Sequence, residues 1–308
     1  MRTAVFGAGG IGGYLGGRLS QAGEEVVVIA RGDHLDAIRK RGLTVDSIKG
    51  DFVANPEFVT NDPSQVGKVD LIILGVKAWQ VPDAAEVMHP MIGPKTAVLL
   101  VQNGVDAPAQ LAAVLGAEHV VIGLCMLRSF IVGPGYLRHT ADVYPNLQLG
   151  EMALSTTDRV EELSQIFKKI GLSVTIPSDI YAALWEKYLV FSVASALGAI
   201  TRTTTGVWRS IPETRQMAET AVRELVRVGQ SQGIKLSDQT FDNTMRLIDN
   251  WAEDHTTSMA KDLMEGRPSE LEAAIGHVVG LGRESGVDAP MINFIHHSLL
   301  PQELQARS

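Results

Sequence analysis

Cysteine is almost missing from this chain: Cys125 is the only one in 308 residues. A single thiol excludes an internal disulfide framework and agrees with a reducing compartment. Its setting, Val120-Val-Ile-Gly-Leu-Cys-Met, is an apolar run, so a buried strand thiol is expected rather than a nucleophile. Clustered positive charge is also missing. The 27 Lys and Arg are scattered against 35 Asp and Glu, a net charge of −8, which excludes the basic patch that nucleic-acid binding needs. No uncharged apolar stretch reaches the roughly 18 residues of a membrane span. The longest, Tyr188 to Ile200, stops short. Strand-like residues follow Met1 at once, so no signal peptide is expected. Metal-ligand spacing is absent as well: His296 and His297 are adjacent and so face different sides of a helix. A cytoplasmic protein with no metal and no nucleic-acid or membrane partner is the expectation, and its length allows two domains.

Glycine, by contrast, is placed with purpose. Thr3-Ala-Val-Phe6 runs directly into Gly7-Ala-Gly9-Gly10-Ile11-Gly12, followed by a helix-like segment, Tyr14 to Ala22, and a second apolar strand, Glu25 to Ala30. A GxGxxG turn in that setting is the fingerprint of a dinucleotide site. Gly7 permits the tight turn, Gly9 lets the backbone approach a pyrophosphate, and Gly12 lets the helix pack close to the strand. Free amides and a positive dipole end then face the phosphates. NAD sites usually carry Asp or Glu at the end of the second strand. Here the text reads Ile29-Ala30-Arg31-Gly32. Arginine suits a 2′-phosphate through forked, charge-assisted hydrogen bonds, which favours NADP(H). Asp33 fits the cap of a helix beginning near His34.

Apolar runs alternate with helix-like segments through the first half. Leu71 to Gly75, Ala97 to Val101 and Val120 to Leu124 read as buried parallel strands, with Val81 to Met91 and Pro108 to Leu115 as crossover helices. That alternation implies an α/β Rossmann-type doubly wound sheet. Leu43 to Thr60 interrupts it with a hairpin pattern around Gly50. Tyr136 to Gly150 is strand-like, and Arg159 to Ile170 is helical in pattern. Strand signals become scarce beyond Ile176. Ile180 to Ile200, Thr214 to Gln232 and Asp238 to Leu263 read as helices, and Leu271, Ala274, Ile275, Val278 and Val279 form one apolar face of another. Residues 1–177 are therefore expected to form the dinucleotide-binding domain and residues 178–308 a mainly α-helical substrate domain. Apolar faces in Val222 to Val228 and Leu281 to Ile295 fit either a homodimer interface or an intradomain core.

Open α/β sheets bind ligands at the carboxyl ends of their strands. Two such ends carry Val76-Lys77-Ala-Trp-Gln80 and Gln102-Asn103-Gly104. Lys77 could meet cofactor phosphate or carboxamide, and Asn103 offers donors and acceptors near a nicotinamide, although Asn-Gly is also a common turn. Lys187 lies in Trp185-Glu-Lys187-Tyr-Leu-Val-Phe-Ser, a helix apolar on nearly every side. A lysine there either snorkels or has a task; partial burial lowers its pKa, as general acid catalysis near neutrality requires. In Ser258-Met-Ala-Lys-Asp262-Leu-Met-Glu-Gly266-Arg267-Pro-Ser269-Glu270-Leu-Glu272, Gly266 can end one helix and Pro268 start the next. Ser269 and Glu272 have capping-box spacing, and Glu270 stands where a helix dipole favours its ionised form. Spacing alone does not separate that role, or an exposed Ser258, from a catalytic one.

Taken in order, Gly7 to Gly13, Val76 to Gln80, Gln102 to Gly104, Trp185 to Lys187 and Ser258 to Glu270 resemble the ketopantoate reductase (2-dehydropantoate 2-reductase) family across the whole length. The resemblance implies NADPH-linked reduction of a 2-oxo acid, with pantoate formed on the way to pantothenate and coenzyme A. By matched motif, Lys187 resembles the catalytic lysine that protonates the ketone oxygen. Asn103 resembles the asparagine that orients it beside the nicotinamide, and Glu270 the carboxylate that accepts from the substrate hydroxyl. Ser258 resembles the serine that binds the substrate carboxylate. Arg31, Lys77 and Gln80 join Gly7, Gly9, Gly10, Ile11 and Gly12 as cofactor contacts.

One departure bears on specificity. The family carries asparagines four and eight residues after the lysine; this chain has Phe191 and Ser195, on the lysine's side of the helix. Losing amides that bind a substrate hydroxyl changes discrimination strongly. Three readings follow: a reductase for ketopantoate, a sibling enzyme for a more apolar 2-oxo or 3-hydroxy acid, and an NADP(H)-binding sensor without turnover. The joint presence of Lys187 and Glu270 argues against the last.

Overall fold

The computed structural model describes residues 1–308. The chain divides into two compact units, Met1–Gln102 with Ala107–Ile180, and Asn103–Asp106 with Tyr181–Ser308.

The first unit holds ten strands: β1 (Arg2–Phe6), β2 (Glu25–Ile29), β3 (Leu43–Ser47), β4 (Phe52–Ala54), β5 (Phe58–Thr60), β6 (Leu71–Leu74), β7 (Ala97–Leu100), β8 (Val120–Gly133), β9 (Tyr136–Glu151) and β10 (Val174–Thr175). They make one mixed sheet in the order β4-β3-β9-β8-β7-β6-β1-β2-β5, with β10 beside β9. From β5 to β8 every pairing is parallel. Five helices accompany the strands: α1 (Gly10–Gln21), α2 (Gly32–Arg41), α3 (Val81–Val87), α4 (Ala107–Leu115) and α5 (Asp158–Lys169). The strand order reverses beside β1, the place where doubly wound sheets bind their ligands. Register fixes what meets there: Phe6 lies level with Ile29 on β2 and with Leu74 on β6, and Leu74 with Leu100 on β7. Gly7, Ala30, Gly75 and Val101 therefore leave the sheet along one edge.

Short, fully buried runs such as LIIL and AVLL form the central strands, as parallel strands covered on both faces do. Cys125 is buried in β8, as an inert strand thiol. Three expectations change. The interruption at Leu43 to Thr60 does contain a hairpin, β3–β4, but its last three residues return as β5, parallel to β2. The strand starting at Val120 runs on to Gly133 and turns into β9 as a long antiparallel hairpin. The cap position of α2 is Arg31, and Asp33 sits in its first turn without capping it.

That hairpin is fastened to the glycine turn by a histidine. His34 on α2 accepts from the Gly135 N–H through Nδ1 at 3.0 Å. Its Nε2 must then carry the hydrogen, donated to the Ala8 carbonyl at 2.8 Å. Burial pushes the His34 imidazole below its ordinary value, opposed by the Ala8 bond. The unfolded chain thus takes up the proton first, so the bridge stabilises fully above about pH 6.5 and less as pH falls through that value. Thermal melts should show His34→Gln less stable than wild type at pH 7.5, with the gap narrowing by pH 5.5. A gap independent of pH would mean that the imidazole charge plays no part.

The second unit is helical: α6 (Ile180–Thr201), α7 (Thr205–Ser210), α8 (Pro212–Ser231), α9 (Thr240–Asp249), α10 (Ser258–Met264), α11 (His277–Ser285) and α12 (Pro290–Arg307). A π-helical turn, Glu272–Gly276, leads into α11. Length and apolar composition would let α6 cross a membrane, but 78% of its most apolar window is buried inside the protein, as befits a core helix. Val222, Leu225 and Val228 of α8 pack with Val278, Ile292 and Ile295 in the same core, so these faces are largely used internally. The helix expected from Asp238 to Leu263 is instead α9 and α10, separated by the segment 250–257.

Candidate active site

The nucleotide end is built on Gly7, whose φ of +95° turns the chain while its N–H donates to Ile29 O at 3.0 Å. Gly12 has no room for a side chain: a Cβ there would lie 2.4 Å from Gly7 O. At Gly9 an added Cβ would meet Gly75 O at 3.6 Å, an ordinary contact, whereas at Gly10 it would lie 2.0 Å from Ser129 O, so β8 packs directly on that glycine. No side chain caps α1 and no acid stands in its first turn, so nothing on that helix end competes with an anion for its amides. The arrangement of Gly9, Gly10, Ile11 and Gly12 fits a pyrophosphate. Arg31 is exposed at the start of α2, two residues past Ile29, the buried end of β2.

Lys77 follows β6 with its Nζ 5.8 Å from the Trp79 ring centroid. Gln80 spends its side-chain oxygen locally, accepting from the Lys77 N–H at 3.2 Å. The turn is held from beneath by Gln102, which sequence reading quoted without giving it a task. Its buried Nε2 donates to Leu74 O at 2.6 Å and to Val76 O at 3.0 Å. An amide closing an apolar strand was the available signal.

The second unit carries the other candidate residues. Lys187 is buried on α6, 8% exposed, although the helix is otherwise apolar. Its neighbour Tyr188 donates to the Ala274 carbonyl at 2.5 Å. Burial pushes the Tyr188 phenol well up, with the Asp106 carboxylate adding to it, so the hydroxyl remains a donor. Ala274 lies in the π-helical turn, and its N–H donates to Glu270 O at 2.8 Å. Gly104 rests on the same turn: with φ of +118°, a Cβ would stand 3.3 Å from Ala273 O. The three stretches that carry Asn103, Lys187 and Glu270 thus meet at Ala273–Ala274. π-Turns are frequent at functional sites.

Glu270 itself is buried and its stretch is pinned from α12. Glu303, 1% exposed, accepts from the Ser269 N–H at 3.1 and 3.0 Å and from its hydroxyl at 2.5 Å, while Arg307 holds the same carboxylate at 2.6 Å. The expected capping box is therefore half made. Ser269 Oγ accepts from Leu271 N–H at 3.2 Å, but Glu272 turns to His296 Nε2 at 2.9 Å. Asp262 accepts from Arg267 at 3.0 and 2.8 Å, closing the bend at Gly266. Ser258 is exposed at the start of α10, whose cap is Thr257 Oγ1 accepting from Ala260 N–H at 3.3 Å. Ser195 is buried one turn beyond Phe191. Phe191 carries the Lys187 ammonium 5.7 Å from its ring centroid and packs on Trp251 at 5.4 Å.

A doubly wound, mainly parallel sheet whose first strand runs into a glycine turn that fits a dinucleotide defines the first unit as a Rossmann-type fold. Comparison narrows it. Residues 3–153 match the family described as Ketopantoate reductase PanE/ApbA, and residues 179–303 match Ketopantoate reductase PanE/ApbA C terminal. The chain belongs to the ketopantoate reductase family, a family of oxidoreductases. A relative from Nostoc sp., named 2-dehydropantoate 2-reductase, is 30% identical over 304 residues, covering 97% of this chain and 94% of its own. The PanE/ApbA family ketopantoate reductase of Ralstonia eutropha superposes with a TM-score of 0.91 at 28% identity, over all of both chains. The 2-dehydropantoate 2-reductase of Geobacter metallireducens gives 0.90 at 28% identity, over 98% of this chain and 99% of that one.

Tyr188→Phe removes the hydrogen bond that ties α6 to the π-turn, at a cost of about 0.5–1.5 kcal/mol in stability. Because the reacting groups would shift together, kcat should fall by roughly 10- to 100-fold with the cofactor KM unchanged. A lower melting temperature with unaltered kcat would make the tie purely structural.

Proposed function

We propose that this chain catalyses the NADP(H)-dependent reduction of a 2-oxo acid to its 2-hydroxy acid, with 2-dehydropantoate, giving pantoate, as the first substrate to test. The observation that carries the reading is the meeting of the stretches bearing Asn103, Lys187 and Glu270 at Ala273–Ala274. Relatives at 24–30% identity bearing the name 2-dehydropantoate 2-reductase support the substrate.

The amides of Gly9 to Gly12 hold the pyrophosphate, Arg31 pairs with the 2′-phosphate, and Lys77 with Gln80 borders the cofactor. The bound nicotinamide supplies a hydride to C2 of the acid. Lys187 donates a hydrogen bond to the ketone oxygen and gives up its proton as that oxygen gains charge, a general acid placed where an alkoxide would form. Asn103 orients the ammonium. Glu270 completes the lysine's surroundings and accepts from a substrate hydroxyl, and the Ser258 hydroxyl donates to the substrate carboxylate. The amine regains its proton from solvent. A small-molecule substrate, a cytoplasmic setting and a homodimer complete the proposal, with neither nucleic acid nor membrane as partner.

Lys187→Ala should lower kcat by about 10²- to 10⁴-fold, the span of a general acid, and leave NADPH affinity nearly unchanged in a fluorescence titration. Equal loss of both would make Lys187 structural. Arg31→Ala should raise the KM for NADPH by roughly tenfold, the loss of about one charge-assisted hydrogen bond, without touching that for NADH. An unchanged cofactor ratio would remove Arg31 from the account.

A further inference from the structure

Phe191 is not an isolated replacement but the front of an aromatic wall. Trp251 lies 5.4 Å from it between ring centroids, at an interplanar angle of 57°, and His255 lies 4.2 Å behind Trp251 at 55°. Such tilted contacts are favourable and hold each ring against its neighbour. Both backing rings come from the segment 250–257, which breaks the expected long helix and leads directly to Ser258. The front ring is one turn from Lys187, whose Nζ stands 5.7 Å from its centroid, within the range of a cation–π contact. All three aromatic residues are half-buried, so the wall retains an open side. Past it on α6, Ser192 and Ser195 are buried, and their hydroxyls are turned into the protein.

These positions constrain what lies next to the ketone. An acid whose carbonyl oxygen accepts from Lys187 puts its next carbons within reach of the Phe191 ring. That ring offers no acceptor or donor to a hydroxyl group, and a polar group set against it gives up water without replacement. A flat or broad apolar group gains contact area there and can pack tilted against the ring as Trp251 does.

Resting on the 2-oxo acid reductase reading, we propose that Phe191, Trp251 and His255 form the specificity wall for the substrate side chain, and that the chain prefers a 2-oxo acid with an aromatic side chain over the hydroxyl-bearing 2-dehydropantoate. A hydrophobic pocket discriminates by about 10- to 200-fold for a group that fills it, which sets the expected preference.

The test compares kcat/KM with NADPH for phenylpyruvate, phenylglyoxylate, 3-methyl-2-oxobutanoate and 2-dehydropantoate, on wild type, Phe191→Asn and Trp251→Leu. In wild type an aromatic acid should exceed 2-dehydropantoate by tenfold or more. Phe191→Asn should reverse that order by raising the value for 2-dehydropantoate, and Trp251→Leu should shrink the preference through KM. Two-fold or smaller preference in wild type, or a ratio unmoved by Phe191→Asn in a variant that still reduces either acid, would overturn the wall. Rapid reduction of 2-dehydropantoate alone would overturn it while leaving the reaction class intact. No reduction of any acid by wild type, with NADPH still bound, would bring down the reaction class and the wall together.

Discussion

The hydrogen bond from Tyr188 to the Ala274 carbonyl is the interaction on which the candidate site depends. Lysine in a buried helix is costly unless the surroundings repeatedly reward one geometry. Here the residue beside Lys187 is tied to a turn that also accepts the Gly104 loop and bonds back to Glu270. A π-helical insertion supplies that turn, and a buried carboxylate, Glu303, anchors the approach to it. Moving any of these carriers alone would displace a group that the proposed reaction uses. Burial of the phenol matters as much as its reach, because a hydroxyl kept protonated can only strengthen its hold on a carbonyl.

The first unit depends on glycine for close backbone packing. Close approach between Gly7 and Gly12 lets α1 begin where β1 ends, and Gly10 lets β8 pack against the turn at Ser129. Polar side chains with no charge fasten the surroundings: Gln102 closes the gap between β6 and β7, and neutral His34 joins the glycine turn to the β8–β9 hairpin.

Much of this was legible in the chain. Gly7 to Gly12 after an apolar strand, and the parallel runs at Leu71, Ala97 and Val120, express local rules that tertiary contacts do not override. The family motifs marked Lys187, Asn103 and Glu270 as candidates. What escaped was set by contacts distant in sequence. Segment 250–257 contains neither Gly nor Pro, so nothing local breaks the helix there; Trp251 meets Phe191 sixty positions earlier. Phe58–Thr60 is too short to stand out as a strand, and only pairing with β2 makes it one. Glu272 had the spacing of a capping box, but His296 on α12 offered it a different partner. Tyr188 read as one more large residue in an apolar helix, since its acceptor lies eighty-six residues away.

The central claim is that a hydride passes to C2 of a 2-oxo acid held beside Lys187. Its most direct test is the fate of deuterium from NADPH labelled at either face of C4, followed by mass spectrometry with purified protein and both 2-dehydropantoate and phenylpyruvate. The account predicts one deuterium on C2 of a 2-hydroxy acid, from one labelled face only, with the hydroxyl proton drawn from solvent. Bound NADPH that retains its label with every acid offered would contradict it.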